Sequence, residues 1–160
     1  MPTRTPAPAV PRLTYLRIKN YRTLRDVEFR DLTPLTVLIG PNGSGKSTVL
    51  DALDFLAEAV RGNLAGAWEK RGRFRGMRTL GSTDSISFEV DIFISENIPH
   101  LKYKLSLDEA DGIVFICDES LEEPGAEFKR IIYLDDAESF PLRNQGYEHV
   151  FRTNIYRAVV

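Results

Sequence analysis

The chain has 160 residues, 21 Lys and Arg against 23 Asp and Glu, 42% apolar residues and one cysteine, a composition that excludes disordered and fibrous chains and fits one ordinary domain. Cys117 alone forms no internal disulfide, no apolar stretch approaches the roughly 18–20 residues of a membrane-spanning helix, and residues 1–12 lack the apolar core of a secretory signal, so a cytoplasmic protein without a membrane partner is expected. Charge is lopsided: residues 1–80 hold 14 basic and 7 acidic side chains and residues 81–160 hold 7 and 16, which predicts either a basic half that meets a polyanion or two halves that neutralise each other.

Pro2, Pro6, Pro8 and Pro11 remove backbone donors and block helix and sheet, so residues 1–12 read as a disordered leader before a lobe spanning 13–160. Leu16 and Ile18, then Val27 and Phe29, are spaced by two on either side of a polar connection, which predicts two short strands joined by a turn. Leu35-Thr36-Val37-Leu38-Ile39 is an aliphatic and β-branched run that stops at Gly40, the pattern of a fully buried strand. Val49, Leu50, Leu53, Leu56, Ala57 and Val60 then recur at three- and four-residue steps, predicting an amphipathic helix that ends near Gly62.

Residues 61–84 are glycine-rich, basic and without a clear period, and are expected to be a mobile connection with one helical turn around 64–68. Strand grammar follows. Ile86, Phe88, Val90, Ile92 and Ile94 alternate with Ser87, Glu89 and Asp91, and Leu101, Tyr103, Leu105 and Leu107 alternate with Lys102, Lys104 and Ser106. A turn at 108–112 leads into 113–117 as a hairpin, and another strand is predicted over 129–134, so 85–135 reads as an antiparallel β-subdomain. Residues 136–160 have no clear assignment, and the uncapped ending Ala158-Val159-Val160 is what a chain cut short would show.

Between the expected buried strand and the helix lies Gly40-Pro41-Asn42-Gly43-Ser44-Gly45-Lys46-Ser47-Thr48, which matches the phosphate-binding P-loop, or Walker A, pattern G-x-x-x-x-G-K-[ST] in the context its chemistry requires. Glycines let the backbone wrap a phosphate and aim successive N–H groups at its oxygens, and the following helix adds its positive dipole end. With glycine near 7% of residues, chance supplies these fixed positions in under about 1% of chains this long. The loop predicts ATP and Mg²⁺ as cofactors, with Lys46 reaching the β- and γ-phosphates, Ser47 ligating the metal and Thr48 near the α-phosphate.

Leu16-Arg17-Ile18-Lys19-Asn20-Tyr21-Arg22, the 35–48 segment and Leu50-Asp51-Ala52-Leu53 together resemble the start of ABC-type AAA family ATPase heads of the SMC, RecF and Rad50 group, nearest the prokaryotic overcoming-lysogenisation-defect type. The resemblance is strong over 13–57 and looser over 81–135, and Tyr21 stands where the group has Phe. It implies an α/β fold in which this chain is a P-loop NTPase lobe with an antiparallel β-subdomain, an incomplete ATPase head. It further implies ATP sandwiched between two heads, as a homodimer or with a second ATPase half, and hydrolase work in DNA repair or phage defence. Such heads carry a Walker B strand ending in Asp-Glu and a glutamine beside the nucleotide. Ile113-Val114-Phe115-Ile116-Cys117-Asp118-Glu119 and Ile131-Ile132-Tyr133-Leu134-Asp135-Asp136 match the short Walker B pattern. Neither follows a signature motif, however, and meander strands ending in solvated acids are favoured for both. Gln145, the one glutamine, lies far from the loop and is expected to be a surface residue.

Lys70, Arg71, Arg73, Arg75 and Arg78 place five cations in nine residues around Phe74. They are candidates for DNA backbone contact, with Phe74 placed to stack on a base. The alternative is a loop whose arginines pair with the acidic half of the chain. His100, His149 and Cys117 share no ligand spacing, so no zinc site is expected. Two other functions stay open: a small P-loop phosphotransferase such as a nucleotide kinase, and a remnant that binds nucleotide or DNA without chemistry.

Overall fold

The period-two runs become strands of one sheet. A computed structural model describes residues 11–61, 64–94, 100–110, 113–123 and 126–133. Its elements in chain order are β1 (Arg12–Tyr21), β2 (Leu24–Phe29), α1 (Lys46–Val60), α2 (Leu64–Lys70), α3 (Arg73–Met77), β3 (Ile86–Phe93), β4 (Leu101–Ala110), β5 (Ile113–Glu123) and β6 (Ala126–Tyr133). The strands form a six-stranded sheet in the order β2-β1-β3-β4-β5-β6, antiparallel at every step. β1 begins at Arg12, inside the segment expected to be leader, and residues 1–10 lie outside the described residues.

Alternation decides which face is buried. On β3, Ile86, Phe88, Val90 and Ile92 are buried while Ser87, Glu89, Asp91 and Phe93 are half-exposed. The register opposes Ile18 to Phe88 and Phe88 to Leu105, so one continuous apolar face crosses three strands. α1 packs on that face: the Phe55 ring lies 5.5 Å from Phe88 and 6.2 Å from Tyr21, and Tyr21 lies 5.7 Å from Phe88. The opposite face is polar and is laced by ion pairs such as Arg17–Asp26 at 2.9 Å and Lys104–Asp118 at 2.7 Å.

Two expectations are corrected. First, the 61–84 connection contains two short helices that pack, rather than one loose turn. Trp68, Phe74 and Met77 are buried, and the Trp68 and Phe74 rings lie 4.9 Å apart. Glycine is required at 76, where a Cβ would meet the Arg71 carbonyl oxygen at 2.2 Å. The Arg22 N–H donates to Met77 O at 2.6 Å and the Thr79 N–H to Asn20 O at 3.0 Å, fastening this segment to the β1–β2 turn.

Second, the run at 35–39 is not a buried strand. Leu35, Val37 and Ile39 are 80%, 68% and 91% exposed, and among the described residues no backbone N–H from 35 to 40 donates to another backbone group. The reason is topological: β1 already has β2 and β3 on its two edges, and the run is paired with no strand of the described sheet. Each of these side chains left in water forgoes about 1.5–3 kcal/mol of burial. The expected α/β lobe is therefore, among the described residues, an antiparallel sheet with helices, and its P-loop strand stands outside that sheet.

Candidate nucleotide-binding site

The loop's conformation follows from its glycines. Gly43 and Gly45 have φ of +81° and +93°, and a Cβ on Gly45 would come within 3.0 Å of Leu24 Cδ2 and 3.6 Å of Thr23 Oγ1, so the β1–β2 turn presses on the end of the loop. Gly45 is the N-cap of α1 and supplies no capping side chain, and the first turn holds no acid. The positive end of the α1 dipole and its free N–H groups are thus left for an anion.

Lys46 curls back over the loop. Its Nζ donates to Gly40 O at 2.8 Å, Pro41 O at 2.7 Å and Ser44 Oγ at 3.4 Å, and the Ser44 N–H donates to Pro41 O at 3.3 Å. One cation therefore bridges both ends of the nest. Ser47 is exposed, and Thr48 Oγ1 accepts from Thr23 Oγ1 at 3.3 Å. Pro41, Asn42, Gly43 and Ser44 are exposed, so nothing among the described residues covers the loop.

The donor set fits a nucleotide's Mg²⁺ sparingly. Among the described residues no group of three or more His, Cys, Asp or Glu could hold a metal, and the exposed Ser47 hydroxyl would be one oxygen donor beside a cation whose other ligands came from phosphate and water. Asp118 and Glu119, at the end of the first Walker B candidate, sit on an antiparallel strand, where Asp118 pairs with Lys104 at 2.7 Å and Glu119 accepts from Tyr103 Oη at 2.8 Å. That strand is part of a meander, as favoured from the sequence, but it runs on through both acids to Glu123, and they are paired across the sheet instead of ending the strand in solvent. Of the second candidate, Ile131, Ile132 and Tyr133 lie in β6, whereas Asp135 and Asp136, like Gln145 and His149, are outside the described residues.

The basic cluster separates. The Arg71 side chain is 2% exposed and reaches Asp51 at 3.1 Å, Asp54 at 2.9 Å and Glu58 at 2.7 Å, all on α1. Burial works against its charge, but the bond to Glu58 with the fields of Tyr21 and Asp51 reverses this and holds the guanidinium above the usual arginine range. Lys70 pairs with Glu58 at 2.6 Å, and these two bonds, from Lys70 first and then Arg71, hold the Glu58 carboxyl below the usual glutamate range. Arg73 pairs with Glu69 at 2.7 Å, and Arg78 lies over the Phe74 ring at 4.1 Å. Phe74 is itself buried and has no face free for a base. Lys70, Arg73 and Arg75 remain at the surface. Among the described residues the ion-pair partners of Lys70, Arg71 and Arg73 lie in the first half of the chain, while Arg73 also feels the charge of Glu109 and Arg78 lies 4.0 Å from Asp108 in the second half.

Sequence reasoning missed the hub at Asp51. It accepts from the buried Tyr21 hydroxyl at 2.5 Å and from Arg71, and it lies 3.3 Å from Arg22. Burial first, then the bond to Asp51, pushes the Tyr21 hydroxyl above the usual phenol range. Asp51, Asp54 and Glu58 fall on one helical face by spacing alone, and that pattern was the available signal. A larger concavity of about 720 Å³ lies on the polar sheet face, but its lining mixes Glu28, Glu89 and Asp91 with Lys102 and Lys104, so no single ligand charge is favoured. His100 lies 3.4 Å from Thr14 Oγ1, and Cys117 lies 3.7 Å from Ser85 Oγ.

The sequence profile of the AAA ATPase domain matches residues 12–138, well over half of the chain. Among curated proteins, the OLD nuclease of Thermus scotoductus is 40% identical over 63 residues, 39% of this chain and 10% of that protein. The DNA replication and repair protein RecF of Roseiflexus castenholzii is 36% identical over 69 residues, 43% of this chain and 17% of that one. The DNA double-strand break repair Rad50 ATPase of Methanococcus maripaludis is 25% identical over 126 residues, 76% of this chain and 12% of that one. The chain thus matches between 10% and 17% of the length of these three relatives. Among the described residues no helix is long and apolar enough to cross a membrane.

Proposed function

The chain belongs to the AAA ATPase domain family, and from that premise we propose that it binds ATP with Mg²⁺ through residues 40–48 as the N-terminal lobe of a RecF- or SMC-like ATPase. The observation that carries this is the loop itself, with Gly43 and Gly45 at positive φ, open N–H groups at the start of α1, and Lys46 bridging the two ends. On binding, the Lys46 ammonium moves from carbonyl oxygens to phosphate oxygens, a stronger charge-assisted partner. The N–H groups at the end of the loop and the start of α1 hold the β-phosphate, and Thr48 lies by the α-phosphate. Ser47 is the protein ligand for Mg²⁺, which when bound neutralises charge on the β- and γ-phosphates.

Hydrolysis requires a water-orienting acid and a second nucleotide face. Asp118 and Glu119 are engaged across the sheet, so these elements come from outside the described residues or from a second head, in a homodimer or with a second ATPase half. The names of two relatives support work in DNA repair. DNA backbone contact falls to Lys70, Arg73 and Arg75, with Arg71 withdrawn into its carboxylates; a duplex affinity unchanged between low and moderate salt would remove it. A nucleotide-kinase reading finds no helical acceptor lobe among the described residues. Lys46→Ala should abolish MgATP binding in calorimetric titration, and unchanged affinity in that variant would refute the ATP assignment.

A further inference from the structure

α1 rests on the sheet through Val49, Ala52, Phe55 and Leu56, all apolar and buried. Apolar burial is non-directional and leaves the rotation of a helix about its own axis loosely set, whereas hydrogen bonds demand alignment. In the first two turns of α1 the directed contacts converge on Asp51. Its Oδ2 accepts from the Tyr21 hydroxyl at 2.5 Å and lies 3.3 Å from Arg22 Nη1, and its Oδ1 accepts from Arg71 Nε at 3.1 Å. Both main donors are fixed outside α1. Tyr21 closes the β1–β2 turn opposite Leu24 and packs its ring on Phe88, and Arg71 Nη1 also donates to Ala67 O on α2 at 3.0 Å. A second tie near the start of α1, Thr23 Oγ1 to Thr48 Oγ1 at 3.3 Å, is exposed to water and longer.

Ser47 stands four residues before Asp51, so the two share one side of α1 and lie about 6 Å apart along its axis. The N–H groups at the helix start point along the axis and sit close to it, so a small rotation barely moves them. A side-chain oxygen stands farther out and swings with the rotation. We propose that Asp51 is a positioning residue for metal binding: held by Tyr21 and Arg71, it sets the rotation of α1 and with it the place of the Ser47 hydroxyl as a ligand of nucleotide-bound Mg²⁺. The proposal rests on the ATP-binding reading. It gives the buried polar hub a task suited to such groups, fixing register more than adding stability.

Calorimetric titration of the whole chain with MgATP, and with ATP in EDTA, tests this, with urea melts of every variant. Tyr21→Phe removes one hydroxyl from a packed ring and should weaken MgATP binding about threefold, and Asp51→Ala should weaken it about tenfold. Neither should change the affinity for ATP in EDTA by more than about twofold. Glu58→Gln is the control: it loosens the same arginine far from the loop, and should lower the urea midpoint at least as much as Tyr21→Phe while leaving both affinities within about twofold. Ser47→Ala should abolish the preference for MgATP, and adding Asp51→Ala to it should bring no further loss. Equal losses with and without Mg²⁺, unchanged MgATP affinity in Tyr21→Phe and Asp51→Ala, an equal loss in Glu58→Gln, or additive losses in the double variant would each overturn the proposal. Lys46→Ala run alongside separates the failures: loss there with none in Tyr21→Phe or Asp51→Ala defeats the positioning role alone, and no loss there defeats the ATP reading beneath it.

Discussion

One helix has two unlike flanks. Along Asp51, Asp54, Phe55 and Glu58, α1 is closed by Tyr21, Arg71, Lys70 and the aromatic cluster, and its charges and rings have partners within the chain. Near Val49, Leu50 and Leu53 it borders the exposed 35–39 run. Among the described residues, the charged side of α1 is therefore closed and the apolar side is open. Burying charge needs partners at fixed distances, which local chain supplies, while a two-faced apolar strand needs neighbours on its edges and above it.

That contrast breaks first on stability. Phe88→Ala on the closed side should cost about 3–5 kcal/mol, whereas Ile39→Ala on the open side should change stability by less than about 0.5 kcal/mol; paired urea melts measure both, and comparable losses would erase the distinction. Arg71→Met is next. Stranding carboxylates beside a fully buried partner costs roughly 3–5 kcal/mol, but Asp51, Asp54 and Glu58 are 27%, 59% and 24% exposed, so about 2 kcal/mol is expected after solvent screening. Because the folded Glu58 carboxyl titrates below its ordinary 4.5, its stabilisation is complete above that value and fades as pH falls through the depressed one. The gap between Arg71→Met and the parent chain should therefore narrow in acid melts.

The smallest effect concerns Asp91 on the polar sheet face. Burial raises its carboxyl above the ordinary 3.8, so ionised Asp91 opposes folding, a penalty absent below the unfolded value and complete above the raised one. Asp91→Asn should raise the melting temperature slightly at neutral pH and leave it unchanged near pH 3; the reverse pattern would show that the ionised carboxyl has found a partner in the fold.

What was legible in the sequence depended on whether the cause was local. Strands β1 to β5 showed themselves because alternation such as Ile86-Ser87-Phe88-Glu89-Val90 is both the signal and the reason for the pleat. The loop was legible for a similar reason, since its glycines and Lys46 act within nine residues. α2 was legible only as a turn at 64–68 and α3 was hidden, because Trp68, Phe74 and Met77 have no helical period across the intervening glycines, and their burial comes from packing on Phe55 and on one another. Arg71 looked like its neighbours in composition, and only α1's line of carboxylates distinguishes it. The 35–39 run was read as a buried strand and is neither paired nor buried among the described residues, because burial of a strand is decided by chain that pairs with it.

Trp68 is the one tryptophan in the sequence. It is 5% exposed between the Phe74 and Phe55 rings, and among the described residues its indole N–H has no hydrogen-bond partner. The lobe therefore carries its own optical probe on the far side of the helix that begins at the phosphate-binding loop. Any shift of α1 that opens the Phe55 contact would let water reach that indole and move its emission to longer wavelength, so events at the loop can be followed in unlabelled protein.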